Sequence, residues 1–240
     1  MPTKLEELVE KLRKALKDDL ISVVLYGSAA AGEHHAKFSD INILCVLRHI
    51  TPVQLGASEP VFRWWQLQGN PSPLLLTEHE LETSTDCFPI EFHDIRRHHR
   101  ILLGADVVSA LEIDNAFYRA QVEHELRAKL LRLRQKASGV LSDKDVLRRL
   151  LIDSITTFCV LFRHALILHG GENAGRKRDV IESAGQRFGI ETAPFLKLLD
   201  LREERLKPKD VEPVSLLADY MGEIGKVIEA VDLLERGFVQ

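Results

Sequence analysis

Residues 23–47 read VVLYGSAAAGEHHAKFSDINILCVL, and this stretch decides the fold. Two apolar, β-branched runs at 21–26 and 41–47 are separated by small and polar residues, the pattern of two buried strands and a connection. The first run ends in Gly27-Ser28, and the second opens on Asp40-Ile41-Asn42. Residues two apart on a strand point to the same face, so the side chains at 40 and 42 can share one metal ion. Glycine at 27 lets the backbone approach a ligand closely. Ser28 and the amides after it can hold a phosphate where a helix begins.

Working outward, Leu5, Leu8, Val9, Leu12 and Leu16 recur at helical spacing and predict an amphipathic helix over 3–18. Thr51-Pro52 reads as an N-cap with proline at the first helical position, opening a helix through Trp64 and Trp65. Residues 74–76 form a short strand candidate, and Thr77 with Glu80 has capping-box spacing for a short helix. Alternation over 88–95 predicts a strand with Ile90, Phe92 and Asp94 on one face and Glu91 and His93 on the other. Residues 101–103 add another strand. After about residue 106 strand signals vanish and helical periods take over. Long helices run through Leu147–Ala165 and Leu216–Val231, with shorter ones near 176–187 and 194–204. The expectation is an α+β chain, with a mixed-sheet domain over 1–106 and a helical bundle over 107–240.

The strand, Gly-Ser, spacer and Asp-hydrophobic-Asn series resembles the DNA-polymerase-β-like nucleotidyltransferase superfamily. Its signature is hydrophobic-Gly-Ser, a short spacer, then Asp-hydrophobic-Asp or Asp-hydrophobic-Glu. The match extends over residues 20–105, and the helical second half is most similar to the aminoglycoside-nucleotidyltransferase type. The resemblance implies magnesium bridging a triphosphate to carboxylates, with an acceptor hydroxyl attacking the α-phosphorus and pyrophosphate leaving. It assigns Asp40 and Asn42 as metal ligands, Gly27, Ser28 and Asn42 to the nucleotide, and a third carboxylate as ligand or general base. Glu91 is the first choice for that carboxylate because it lies opposite the apolar Ile90 and Phe92; Asp94 is its rival. ATP or another NTP is the expected substrate. A hydroxyl on a small molecule or a protein, held in a cleft between the two halves, is the expected acceptor.

Position 42 departs from the signature. Asparagine offers a neutral carbonyl oxygen, which can ligate one metal but bridges two poorly. With Asp40 and Glu91 the site carries less negative charge, and magnesium affinity and transition-state stabilisation should both fall. Three readings stay open: turnover with one well-held metal, nucleotide binding without turnover, or a relic acting as a regulatory module through a protein partner.

Composition narrows the rest. Hydrophobic residues make up 45% and charged residues 28% of the 240, which suits a globular chain with a sizeable core. A net charge of −4 argues against a general nucleic-acid partner. No stretch approaches the roughly 18–20 apolar residues of a membrane span, so no membrane role is expected. The charged, amphipathic N-terminus lacks a signal-peptide core, and a cytoplasmic location is expected. Cys45, Cys87 and Cys159 lie in apolar surroundings and read as reduced, buried thiols. The C-terminal helices are candidates for a homodimer face or for docking a helical partner. His34, His35, the Arg96–Arg100 run, the basic stretch from Arg127 to Lys136 and Arg176-Lys177-Arg178 could each meet phosphate, but each reads first as solvated surface. Trp65 or Trp64 reads as core, as do His164 and His169.

Overall fold

The computed structural model describes residues 3–30, 41–171 and 175–234, and the chain divides into two compact units, 1–117 and 118–240. Residues 107–117 stay with the first unit because Val108 and Leu111 are buried in its core.

The first unit is built on a four-stranded mixed sheet of order β3-β2-β1-β4, with β1 at Leu20–Tyr26, β2 at Asn42–Leu47, β3 at Leu74–Thr77 and β4 at His99–Gly104. β1 pairs antiparallel with both β2 and β4, whereas β2 pairs parallel with β3. Alternation along β1 and β2 splits the core into two layers. Val23, Leu25, Ile43, Cys45 and Leu47 face α1 (Lys4–Leu16) and α2 (Pro52–Leu67) through Leu8, Leu12, Leu16, Val61 and Trp65. Val24, Leu44 and Val46 face α3 (Glu78–Thr83), α4 (Pro89–Arg97) and the 107–113 segment through Leu81, Phe92, Ile95, Val108 and Leu111. Sheets buried on both faces read as continuous apolar runs, which is why 43–47 lacks polar alternation. Each fully buried leucine contributes roughly 1.5–3 kcal/mol, so a charge at Leu12 would break the first layer.

The Thr51 cap and the Thr77–Glu80 box are where the sequence places them, and the Thr3–Glu6 box and the Gln54 half of the Thr51 box are additions of the structure. Thr3, Thr51 and Thr77 each open a helix with a capping box, closed by Glu6, Gln54 and Glu80. One expectation is overturned: residues 89–97 form the helix α4, not a strand. Pro89 sits at the first helical position, Glu91 in the first turn, and Arg96 and Arg97 in the last, which suits a helix dipole. The buried set Pro89, Ile90, Phe92 and Ile95 is one helical face rather than a strand's alternate positions.

The second unit contains α5 (Tyr118–Ser138), α6 (Lys144–Leu168), α7 (Lys177–Phe188), α8 (Ala193–Arg202) and α9 (Pro213–Leu233). Contrary to the sequence expectation, α6 is long and apolar enough by composition to cross a membrane. It is the central helix of its unit, contacting α5, α7, α8 and α9 and burying Leu151, Ile155, Phe158 and Phe162 among them. Phe158 meets Tyr220 edge-on at 5.6 Å, and Phe162 packs on Phe195 at 5.2 Å. His164 is a core residue, its Nδ1 2.6 Å from the Tyr118 hydroxyl. Cys45 and Cys159 are buried, and burial pushes both thiols up to about 12. Cys87 is exposed, against the expectation of three buried thiols, because it lies in the turn before α4.

Candidate functional site

At the end of β1 the chain turns sharply through Gly27 at φ +76°, a left-handed conformation that disfavours any residue with a Cβ. A Cβ built on Gly27 would lie 3.2 Å from Asn42 Nδ2, so the Asn42 amide is drawn up against the bare α-carbon. Asn42 opens β2 directly opposite Tyr26. Cross-strand partners share a face, and Tyr26 packs with Val24, Leu44 and Val46, so Asn42 belongs to the α4 side of the sheet.

Glu91 reaches the same end of that face by a route the sequence reading did not foresee. Phe92 and Ile95 pin α4 to the sheet beside the Gly27 turn, and Glu91 is exposed in its first turn. Its charge acts on Tyr26: burial first, then the Glu91 carboxylate, hold the phenol above its ordinary range. Tyr26 therefore stays a neutral donor at physiological pH. Asp94, the rival acid, is half-buried on the same helix. Asp40 lies outside the described residues, as do His34 and His35.

Gly27 N–H donates to the His98 carbonyl at 3.0 Å, and Ala30 N–H donates to the Gly27 carbonyl at 3.0 Å. Ser28 and Ala29 complete the single 3-10 turn Gly27–Ala29 that these bonds hold at the end of β1.

The donor set fits a hard cation. With Nδ2 toward Gly27, Asn42 Oδ1 is an oxygen of the type a hard cation takes, and Glu91 is an exposed carboxylate. Among the described residues no three His, Cys, Asp or Glu side chains cluster as a ready metal site. The oxygen donors here number too few for a closed cage and suit an ion that keeps phosphates and water in its shell.

Other candidates are accounted for structurally. Trp65 is fully buried, and Trp64 carries Lys11 over its ring at 5.0 Å. Arg178 is held by Asp200 at 2.6 Å and Glu203 at 2.8 Å, which raises its pKa and removes it as a free cation. Arg127 is paired with Glu123 and Lys129 with Glu125 on their own helix, while Arg132 and Lys136 are exposed. A hollow between α3 and residues 107–112, lined by Glu78, Glu82 and Glu112 over Leu81, Val107 and Leu111, is acidic and would repel a triphosphate.

Comparison with known proteins bears on this turn. A nucleotidyltransferase domain family model matches residues 5–86, which include β1, the Gly27 turn, β2 and β3. Among solved structures, spectinomycin adenyltransferase AAD(9) from Enterococcus faecialis, determined with ATP and spectinomycin, superposes with a TM-score of 0.59 at 14% identity. The match covers 94% of this chain and 98% of that one, so the likeness of fold extends through the helical half. No curated protein matches the sequence.

Proposed function

We propose that this chain, whose residues 5–86 carry a polymerase-β-like nucleotidyltransferase domain, transfers a nucleoside monophosphate from ATP or another NTP to a hydroxyl of a small-molecule acceptor. The observation that carries the reading is the convergence of Gly27, Tyr26, Asn42 and Glu91 at one end of one sheet face. Acceptor oxygen attacks the α-phosphorus, a new P–O bond forms, and the α–β anhydride bond breaks with its electron pair leaving on pyrophosphate. A bound magnesium ion supplies charge neutralisation at the phosphates. Asn42 Oδ1, Glu91 and, by its place in the motif, Asp40 would hold it. The Ser28 and Ala29 amides grip a phosphate, and the neutral Tyr26 phenol can donate to an anionic oxygen beside Asn42. Glu91 is exposed and able to take the proton of the acceptor hydroxyl.

Asn42 favours a second reading, a module that binds nucleotide without turning it over and acts through a protein partner. Pyrophosphate release from MgATP, measured with a panel of hydroxylated small molecules on wild type and Glu91→Gln, separates the two. Release with at least one acceptor, lost in Glu91→Gln, supports transfer. Binding without release from any acceptor supports the second reading.

A further inference from the structure

Helix α4 is tied to the Gly27 turn by its C-terminal end. The carbonyl of His98, the residue that caps this end, accepts the Gly27 amide at 3.0 Å. Arg97, the last residue of α4, therefore stands at the turn itself, whereas Glu91 lies six residues back, about 9 Å along the helix axis. Glu91, Asp94 and Arg97 follow one another at three-residue spacing, so two acids and a base run along one side of α4 toward the turn.

The basic run 96–100 reads in sequence as solvated surface, and the structure sorts its arginines. The Arg96 guanidinium is turned to the Leu111 carbonyl at 3.1 Å. Arg100 is exposed and pairs with Leu25, which packs in the α1–α2 layer, so it belongs to the sheet face away from Asn42. Arg97 is half-buried with its Nη1 sealed from solvent, so this guanidinium is turned inward and not into bulk water. Arginine is charged at every physiological pH, and its planar fork matches the oxygens of a phosphate.

We propose that Arg97 is a phosphate-binding residue of the nucleotide site, meeting the triphosphate beside the Gly27 turn. The inference deepens the nucleotidyltransferase reading and rests on it for the identity of the anion. A guanidinium fixed at the turn supplies to the phosphates positive charge that a second metal would otherwise bring, and Asn42 bridges two metals poorly. Glu91 and Arg97 then divide the work along one helix, the acid toward metal or acceptor and the base toward phosphate.

The test uses the full chain. MgATP and magnesium tripolyphosphate, which carries the phosphates without a nucleoside, are titrated by calorimetry into wild type, Arg97→Gln and Arg100→Gln. Arg97→Gln should weaken both ligands by about tenfold or more, the worth of a hydrogen bond to a charged group, and Arg100→Gln should stay within about twofold of wild type. Gly27 amide exchange should be the same in Arg97→Gln and wild type, which separates loss of a contact from loss of the turn. If Arg97→Gln does not fold, the Arg97 Nε–H resonance of wild type is followed by NMR instead, and it should move with either ligand. Affinities of Arg97→Gln within about twofold of wild type, a Gly27 amide loosened along with the affinity, or an unmoved Arg97 resonance overturns the proposal. Wild type that binds tripolyphosphate through Arg97 but not MgATP leaves the arginine's role standing and sinks the nucleotide reading; wild type that binds neither overturns both.

Discussion

Replacing Gly27 by alanine perturbs the site through one atom. The backbone at φ +76° costs an L-residue about 1–2 kcal/mol. The added Cβ stands 3.2 Å from Asn42 Nδ2, tighter than ordinary contact, so the amide must retreat by a few tenths of an ångström. Gly69 provides the control: at φ +85° it pays a similar conformational cost, but its Cβ would meet nothing within 4 Å. Both tryptophans, Trp64 and Trp65, lie on α2, so their fluorescence in a urea titration reports the first unit alone. Gly27→Ala and Gly69→Ala should each lose about 1–2 kcal/mol by that probe. They should part in MgATP binding, where Gly27→Ala weakens affinity by about tenfold or more, the worth of one ligand to a charged group, and Gly69→Ala leaves it unchanged. Equal MgATP affinity in Gly27→Ala and wild type would refute the placing of Asn42 and the Gly27 turn at the nucleotide.

Further expectations concern the scaffold. Trp65 is fully buried with its indole N–H unpaired, so Trp65→Phe removes volume and an unsatisfied donor together. It should cost well below the roughly 3–5 kcal/mol of a truncation to alanine, compared by urea titration followed by far-UV circular dichroism. Asp106 has a folded pKa depressed to about 2, so its contribution is present above its unfolded value and is lost as pH falls toward 2. Its carboxylate is 42% exposed, and solvent screening keeps the effect small. Acid unfolding of Asp106→Ala should show a shallower loss of stability between about pH 4 and 2 than wild type does.

Much of this architecture is legible in the sequence, for local reasons. Helix α1 announces itself through Leu8, Leu12 and Leu16, and the three capping boxes are pairs of residues three apart. The β1–β2 pair is legible because both strands are buried on two faces and carry unbroken apolar runs. Helix α4 is misread because Ile90 and Phe92 fit a period of two as well as a helical face over so short a span. The deciding signals were Pro89 at the first helical position and the acid-to-base order from Glu91 to Arg97. Glu91 lies in the first turn of α4, which packs on the sheet through Phe92 and Ile95, and not on the strand whose parity was used to select it. The pairing of Tyr26 with Asn42 on one side and His99 on the other joins residues far apart in sequence, and no spacing rule could have revealed it.

The central claim is that Asn42 is a working ligand in a site for a metal-bound triphosphate. Calorimetry of MgATP with wild type and with Asn42→Asp tests it most directly. The account predicts that wild type binds MgATP, that binding requires the metal, and that Asn42→Asp binds more tightly because a carboxylate replaces a neutral oxygen. If neither protein binds MgATP, the Gly27 turn is not a nucleotide site and the account is wrong.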